Sequence, residues 1–128
     1  MKTILVVEDE ADILMGIKEF LQDEGFKVLT AQNGMEAMKK LKNNEMPNLI
    51  LLDMKMPVMD GWKFAEEFHK IFDNLSPILV VTAAADAKQR ALDIGASGWI
   101  EKPFQLDELL KKINHELGPT DPILDSFS

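Results

Sequence analysis

Cysteine is absent from the 128 residues, which excludes disulfides and thiolate metal sites. Histidine is nearly absent: His69 and His115 lie in helical stretches without an acidic or metal-binding partner at ligand spacing, which reads as surface histidines rather than phosphate carriers. Positive charge is in deficit, with 14 Lys and Arg against 22 Asp and Glu and a formal net charge of -8. Such a field repels phosphate backbones and anionic membrane surfaces, which argues against direct nucleic-acid binding and suits a cation or a basic partner. Long apolar runs are missing. The first, Ile4 to Val7, turns acidic at Glu8, too soon for a signal peptide or a membrane span, so the expectation is a cytoplasmic protein without membrane insertion. Repeats and low-complexity segments are missing as well, and the length fits one compact domain with a sizeable core.

What the chain does contain is a series of short, unbroken apolar runs separated by helical patterns. Leu49 to Leu52 has no polar alternation and reads as a strand buried on both faces, as in a parallel sheet covered by helices. Ile4 to Val7 has the same character, as does Pro77 to Val81, which closes on Thr82. Shorter strands are predicted over Lys27 to Ala31 and Ser97 to Glu101. Between them lie helical spacings. Ile13, Leu14, Ile17, Phe20 and Leu21 mark one helix, closed by Glu24-Gly25. Asn33 with Glu36 forms a capping-box pattern that opens a second helix through about Asn43, with Met35, Met38 and Leu41 as its buried stripe. Asp60 caps a third from about Gly61 to Phe72, with Trp62, Ala65, Phe68 and Phe72 recurring on one side. Asp86 caps a fourth to about Ile94, and Leu106, Leu109, Leu110, Ile113 and Leu117 mark a fifth. The Lys39-Lys40 and Lys111-Lys112 pairs read as solvated helix faces. Five strands alternating with five helices, joined by short connections, demand a doubly wound parallel sheet covered on both faces. Residues 118–128 carry two prolines and no helical stripe, and are expected to form a loose C-terminal tail after a domain over residues 1–117.

The polar residues at the strand ends then fall on one rim: Glu8 and Asp9 after the first strand, Asp53 after the third, Thr82 after the fourth and Lys102 after the fifth. If the first and third strands are neighbours, three carboxylates meet where the winding reverses, which is where open α/β sheets bind their ligands. Repulsion raises at least one pKa there unless a cation intervenes, and hard oxygens without Cys or His nearby favour Mg²⁺ over zinc. With Lys102 and Thr82 beside them, the carboxylates suggest phosphoryl chemistry, with Asp53 the best-placed nucleophile and Lys102 offsetting charge on the transferring group. Ala83 leaves room for a bulky phosphodonor.

Four ordered motifs carry a family resemblance: Val-Val-Glu-Asp-Glu at 6–10, Leu-Leu-Asp-Met-Lys-Met-Pro-Val-Met-Asp-Gly at 51–61, Val-Val-Thr-Ala at 80–83 and Lys-Pro-Phe at 102–104. Over residues 3–117 the chain resembles the receiver domain of two-component response regulators, in particular single-domain regulators of the chemotaxis type. The resemblance implies a flavodoxin-like α/β fold with strand order 2-1-3-4-5 and five helices. It implies that Asp53 accepts phosphate from a histidine kinase or phosphotransfer protein. Asp9, Asp53 and the Lys55 backbone carbonyl would bind Mg²⁺ as cofactor, and Glu8 would hold it through water. Thr82 and Trp99 carry over as the switch pair, Lys102 as the phosphate-pairing lysine, and Lys102-Pro103 as the place of a cis peptide. Lys55 and Ala84 occupy positions that tune dephosphorylation, and Gln105 replaces the family's common Asp cap, which weakens the start of the last helix. The expectation is a monomeric interaction module that binds an unknown downstream protein. It would not be an enzyme beyond its own phosphorylation and slow dephosphorylation.

Two other functions use similar parts. A phosphatase of the haloacid-dehalogenase type would also need Asp53 and Mg²⁺, but it requires a second Asp where Lys55 stands. A flavin carrier on the same fold would need a Ser/Thr/Gly-rich phosphate loop after the first strand, where Glu8-Asp9-Glu10 would repel the phosphate instead. A receiver domain cut from a longer regulator shares every motif with a single-domain one.

Overall fold

A computed structural model describes residues 1–56, 58–83 and 86–118. Pro57, Ala84, Ala85 and the tail from 119 onward, and with them the role expected of Ala84 and the loose tail, lie outside the described residues. The elements alternate as the apolar runs require: β1 (Thr3–Val7), α1 (Ala11–Asp23), β2 (Lys27–Ala31), α2 (Gly34–Asn43), β3 (Leu49–Asp53), α3 (Gly61–Phe72), β4 (Ile78–Thr82), α4 (Ala87–Asp93), β5 (Gly98–Glu101) and α5 (Leu106–Leu117). All strand pairs are parallel, in the order β2-β1-β3-β4-β5. This is the doubly wound, flavodoxin-like arrangement.

Side chains in β1, β3 and β4 alternate between two covered faces, and that is why these strands show no polar alternation. Leu5, Val7, Ile50, Leu52, Ile78 and Val80 face one cluster, which Met38, Leu41, Phe64, Phe68 and Ala91 of α2, α3 and α4 complete. Ile4, Val6, Leu49, Leu51, Leu79 and Val81 face the other, against Leu14, Ile17 and Leu21 of α1 and Leu109 and Ile113 of α5. Right-handed crossovers that run one way from β1 to β2 and the other way from β2 back past β1 to β3 put α1 on one side of the sheet and α2 on the other.

Helix ends follow local chemistry in most places. Asn33 Oδ1 accepts from the Glu36 amide at 2.9 Å while Glu36 Oε2 accepts from the Gln32 amide at 3.2 Å, and Asp60 Oδ1 accepts from the Lys63 amide at 2.9 Å. Gly25 adopts φ +95° past the end of α1, where a side chain would be strained. Gln105 makes no side-chain cap, as its chemistry suggests. Three expectations need correction. Asp86 precedes α4 but does not cap it, because Arg90 Nε takes its carboxylate at 2.8 Å. Met35 is 46% exposed, its place in the stripe taken by Ala37, which packs one turn before Leu41. Trp62 is also on the surface, its ring 4.6 Å from the Arg90 guanidinium, and Phe64 fills the core instead. Among the described residues, no helix is long and apolar enough to cross a membrane.

Candidate functional site

Parallel pairing brings every strand's C-terminal end to one rim, and β1 and β3 are neighbours there, with Val7 opposite Leu52. Glu8 and Asp9 follow β1 directly and Asp53 is the last residue of β3. Carboxylate oxygens of Glu8, Asp9 and Asp53 lie within 4.8 Å of one another. Glu8 and Asp53 are buried and Asp9 is the least buried of the three. Lys102, just past β5, reaches across two strands: its Nζ donates to Glu8 Oε1 at 2.7 Å and stands 3.6 Å from Asp53 Oδ2. The Lys55 amide donates to Asp53 Oδ1 at 3.2 Å, so one oxygen of the central carboxylate is oriented by backbone and the other faces the ammonium.

Three carboxylates and one ammonium leave an excess of negative charge in a partly dehydrated space. Burial, reinforced by Asp53, outweighs the Lys102 hydrogen bond and pushes Glu8 up to about 7. Burial likewise raises Asp53, against the lowering effects of Glu8, Lys102 and the Lys55 amide. Burial alone would lower Lys102, but the Glu8 hydrogen bond and the charges of Asp53 and Glu8 outweigh it and hold the ammonium above its usual value. The site therefore keeps a proton near neutrality that a dication would displace. The donor set fits such an ion: three carboxylates of hard oxygen, clustered within reach of one centre, suit a hard divalent cation.

Thr82 ends β4, fully buried, and its carbonyl accepts the Lys102 amide at 2.9 Å, which ties the ends of β4 and β5 together beside the cluster. The Lys102-Pro103 peptide is cis. Trp99 lies farther along β5, half-buried, packed against the α2–α3–α4 side of the core and away from the carboxylates. Lys111 and Lys112 are exposed, as expected of a solvated face, and the Lys112 ammonium also lies 5.6 Å from the Trp99 ring centroid, with that of Lys88 at 5.9 Å. His69 is not a free surface histidine: Nε2 lies 2.9 Å from the Ile94 carbonyl and Nδ1 3.1 Å from that of Asp73. These contacts join residues on different elements, so no local spacing signals them.

Two hollows open beside the cluster. A cleft of about 410 Å³ is lined by Asp9, Met54, Lys55, Met56, Asp60 and Trp62. A largely apolar groove of about 420 Å³ runs between α1 and the β5–α5 connection, where Ile13, Ile17, Ala83, Phe104 and Leu106 flank Lys102. Ala83 is exposed there, and its small side chain leaves the approach from β4 open.

Residues 4–114 match the response regulator receiver domain. Among curated proteins, the response regulator MprA of Mycobacterium sp. (strain KMS) is 37% identical over 121 residues, covering 93% of this chain and 52% of that protein. The probable transcriptional regulator ycf27 of Pyropia yezoensis is 38% identical over 126 residues, covering 97% and 51%. The chain thus spans about half the length of the curated relatives it matches. Among solved structures, a CheY-like response regulator receiver domain protein from Methanospirillum hungatei JF-1 superposes with a TM-score of 0.82 at 34% identity, over 91% of this chain and 94% of that one. The response regulator TrrA of Thermotoga maritima, in complex with Mg(2+)-BeF, gives 0.81 at 37% identity, over 91% and 100%.

Proposed function

Because the chain belongs to the response regulator receiver domain family of two-component systems, we propose that it is a phosphoacceptor switch in which Asp53 takes a phosphoryl group from a histidine kinase or phosphotransfer protein. The observation that carries this reading is the Glu8–Asp9–Asp53 cluster with Lys102 bridging two of its members. Glu8, Asp9 and Asp53, with the backbone carbonyl of Lys55, would hold Mg²⁺. That ion would supply charge neutralisation for the phosphoryl oxygens and so lower the barrier to transfer. The Mg(2+)-BeF complex of TrrA supports this choice of cation.

The Asp53 oxygen that faces Lys102 attacks phosphorus. The P–N bond of the phosphohistidine breaks, its electron pair returns to the imidazole, which takes up a proton, and an aspartyl phosphate forms. Lys102 needs only to exchange part of its contact with Glu8 for the incoming phosphoryl oxygens, since its ammonium already stands 3.6 Å from Asp53. Thr82 offers a hydroxyl beside the same group, and its repositioning, followed by that of Trp99, would carry the change to α4, β5 and α5. The apolar groove beside Lys102 suits the approach of the phosphodonor. In this reading the protein is a cytoplasmic monomer that acts by binding a downstream protein. It catalyses nothing beyond its own phosphorylation and slow dephosphorylation, and does not contact nucleic acid through this domain.

Incubation with Mg²⁺ and a small phosphodonor, followed by mass spectrometry of the intact protein, tests the proposal. Wild type is expected to gain one phosphoryl group, and Asp53→Asn and wild type in EDTA to gain none. Equal labelling of Asp53→Asn would overturn it, and sustained turnover of unrelated phosphoesters would favour a phosphatase instead.

A further inference from the structure

The turn that carries the chain from β3 to α3 holds one residue in a backbone conformation that its side chain disfavours. Val58 adopts φ +69°, in the left-handed region where a β-branched residue is an outlier. Its side chain is 81% exposed, so packing of that side chain does not hold it there. Such a conformation persists only where the surroundings over-determine it. Two backbone hydrogen bonds do so here. The Gly61 amide donates to the Met54 carbonyl at 3.1 Å, which closes the turn on itself, and the Gly34 amide donates to the Met59 carbonyl at 3.1 Å, which ties the turn to α2. Gly34 is the first residue of α2, and its N–H is one of the donors that a helix leaves without an internal partner. Asn33 satisfies another of them, the Glu36 amide, from within the same stretch of chain, whereas the Gly34 amide is satisfied from a different element.

Only glycine fits that contact. A Cβ on Gly34 would lie 2.6 Å from Met59 Cγ and 2.8 Å from both Met59 Sδ and the Met59 carbonyl oxygen. The side-chain atoms can turn aside, but the carbonyl oxygen cannot move without moving the turn. Met59 follows Val58 directly, and the same turn carries Lys55, whose amide orients Asp53 Oδ1 at 3.2 Å.

We infer that Gly34 is a positioning residue for the phosphoryl-transfer site: through Met59 it clamps the strained turn, so that Lys55 presents its amide to Asp53 and its carbonyl to the metal. Gly34 touches neither the reacting atoms nor the metal, and acts only through Met59. When the clamp loosens, Val58 relaxes toward negative φ, the Lys55 peptide turns with it, and the ion loses a preset ligand. The role of the Lys55 carbonyl rests on the phosphoacceptor reading, whereas the clamp itself belongs to the metal-free protein.

Four variants of the full chain test this: Gly34→Ala, Val58→Gly, which removes the strain, the two combined, and Ile113→Val. The last trims the core on the other face of the sheet and controls for a general loss of stability. Calorimetric titration gives the Mg²⁺ affinity. Hydrogen exchange followed by NMR in EDTA gives the protection of the Lys55 amide relative to that of Ile50, whose amide is bonded within the sheet. Gly34→Ala is expected to bind Mg²⁺ about tenfold more weakly than wild type, the loss typical when the support of a metal ligand is removed, and to exchange the Lys55 amide faster. Ile113→Val is expected to change neither. In the Val58→Gly background the turn yields locally, and Gly34→Ala is expected to cost much less affinity there. Folding of Gly34→Ala only in combination with Val58→Gly would also support the link between clamp and strain. Wild-type affinity and Lys55 protection in Gly34→Ala, an equal loss in both backgrounds, or failure of both Gly34→Ala variants to fold would overturn the inference, because α2 would then serve the fold alone. Absence of Mg²⁺ binding by wild type would count against the phosphoacceptor reading instead, and exchange of the Lys55 amide would still decide whether the clamp exists.

Discussion

Glu8 follows β1 directly, and at 3% exposure it has the least contact with water of the three clustered carboxylates. Its pKa rises from an ordinary 4.5 to about 7, chiefly through burial. Between those two values the folded protein holds a proton that the unfolded chain has released, so stability falls as pH rises through that window. Above pH 7 the full cost is present, on the order of 3 kcal/mol for the metal-free protein. Asp53, also raised by burial, adds to the same slope. Glu8→Gln keeps the hydrogen-bonding shape without the charge and is expected to remove most of the loss. Urea unfolding in EDTA at pH 5 and pH 8 measures it, and a Glu8→Gln slope equal to that of wild type would show that another group sets the pH response. The residue types of the site were legible in the sequence because each directly follows or ends an apolar strand. The partner of Lys102 was not: its shorter contact is to Glu8, 94 positions away, rather than to Asp53.

At the scale of elements, the site depends on how closely α3 approaches the end of β3. A Cβ on Gly61 would lie 2.7 Å from the Met54 Cα and 3.1 Å from the Asp53 carbonyl, backbone atoms that cannot turn aside. Gly61→Ala is therefore expected to cost about 2 kcal/mol by overpacking and to weaken Mg²⁺ binding by shifting Asp53. Gly16, in the middle of α1, has nothing within 4 Å of its added Cβ. Gly16→Ala should raise stability by about 0.5–1 kcal/mol through helix propensity alone. Thermal melts of the two variants are expected to move in opposite directions, and a loss from Gly16→Ala would contradict the description of α1. Caps such as Asn33 and Asp60 could be read from sequence because they act within four residues. Met35 and Trp62 could not, because helical spacing alone does not say where the core-facing stripe ends, and at Asp86 the cap competes with an equally local partner, Arg90 four residues on, which takes its carboxylate.

For the molecule as a whole, the strand order and the common rim were legible because unbroken apolar runs admit few arrangements other than a parallel sheet covered on both sides, and crossover handedness restricts the rest. Contacts between helices left no such pattern, and the Lys88–Trp99–Lys112 arrangement emerges only when α4 and α5 are set on either side of β5. The rim holds an excess of buried negative charge that a proton relieves at low pH and that a bound dication would relieve at high pH. The most direct test is the melting temperature of the phosphate-free protein with and without saturating Mg²⁺ at pH 8 and at pH 5. A large rise at pH 8, a much smaller one at pH 5 and none for Asp9→Asn/Asp53→Asn is the predicted result. Equal Mg²⁺ stabilisation at both pH values, or a rise that survives the double substitution, would contradict it.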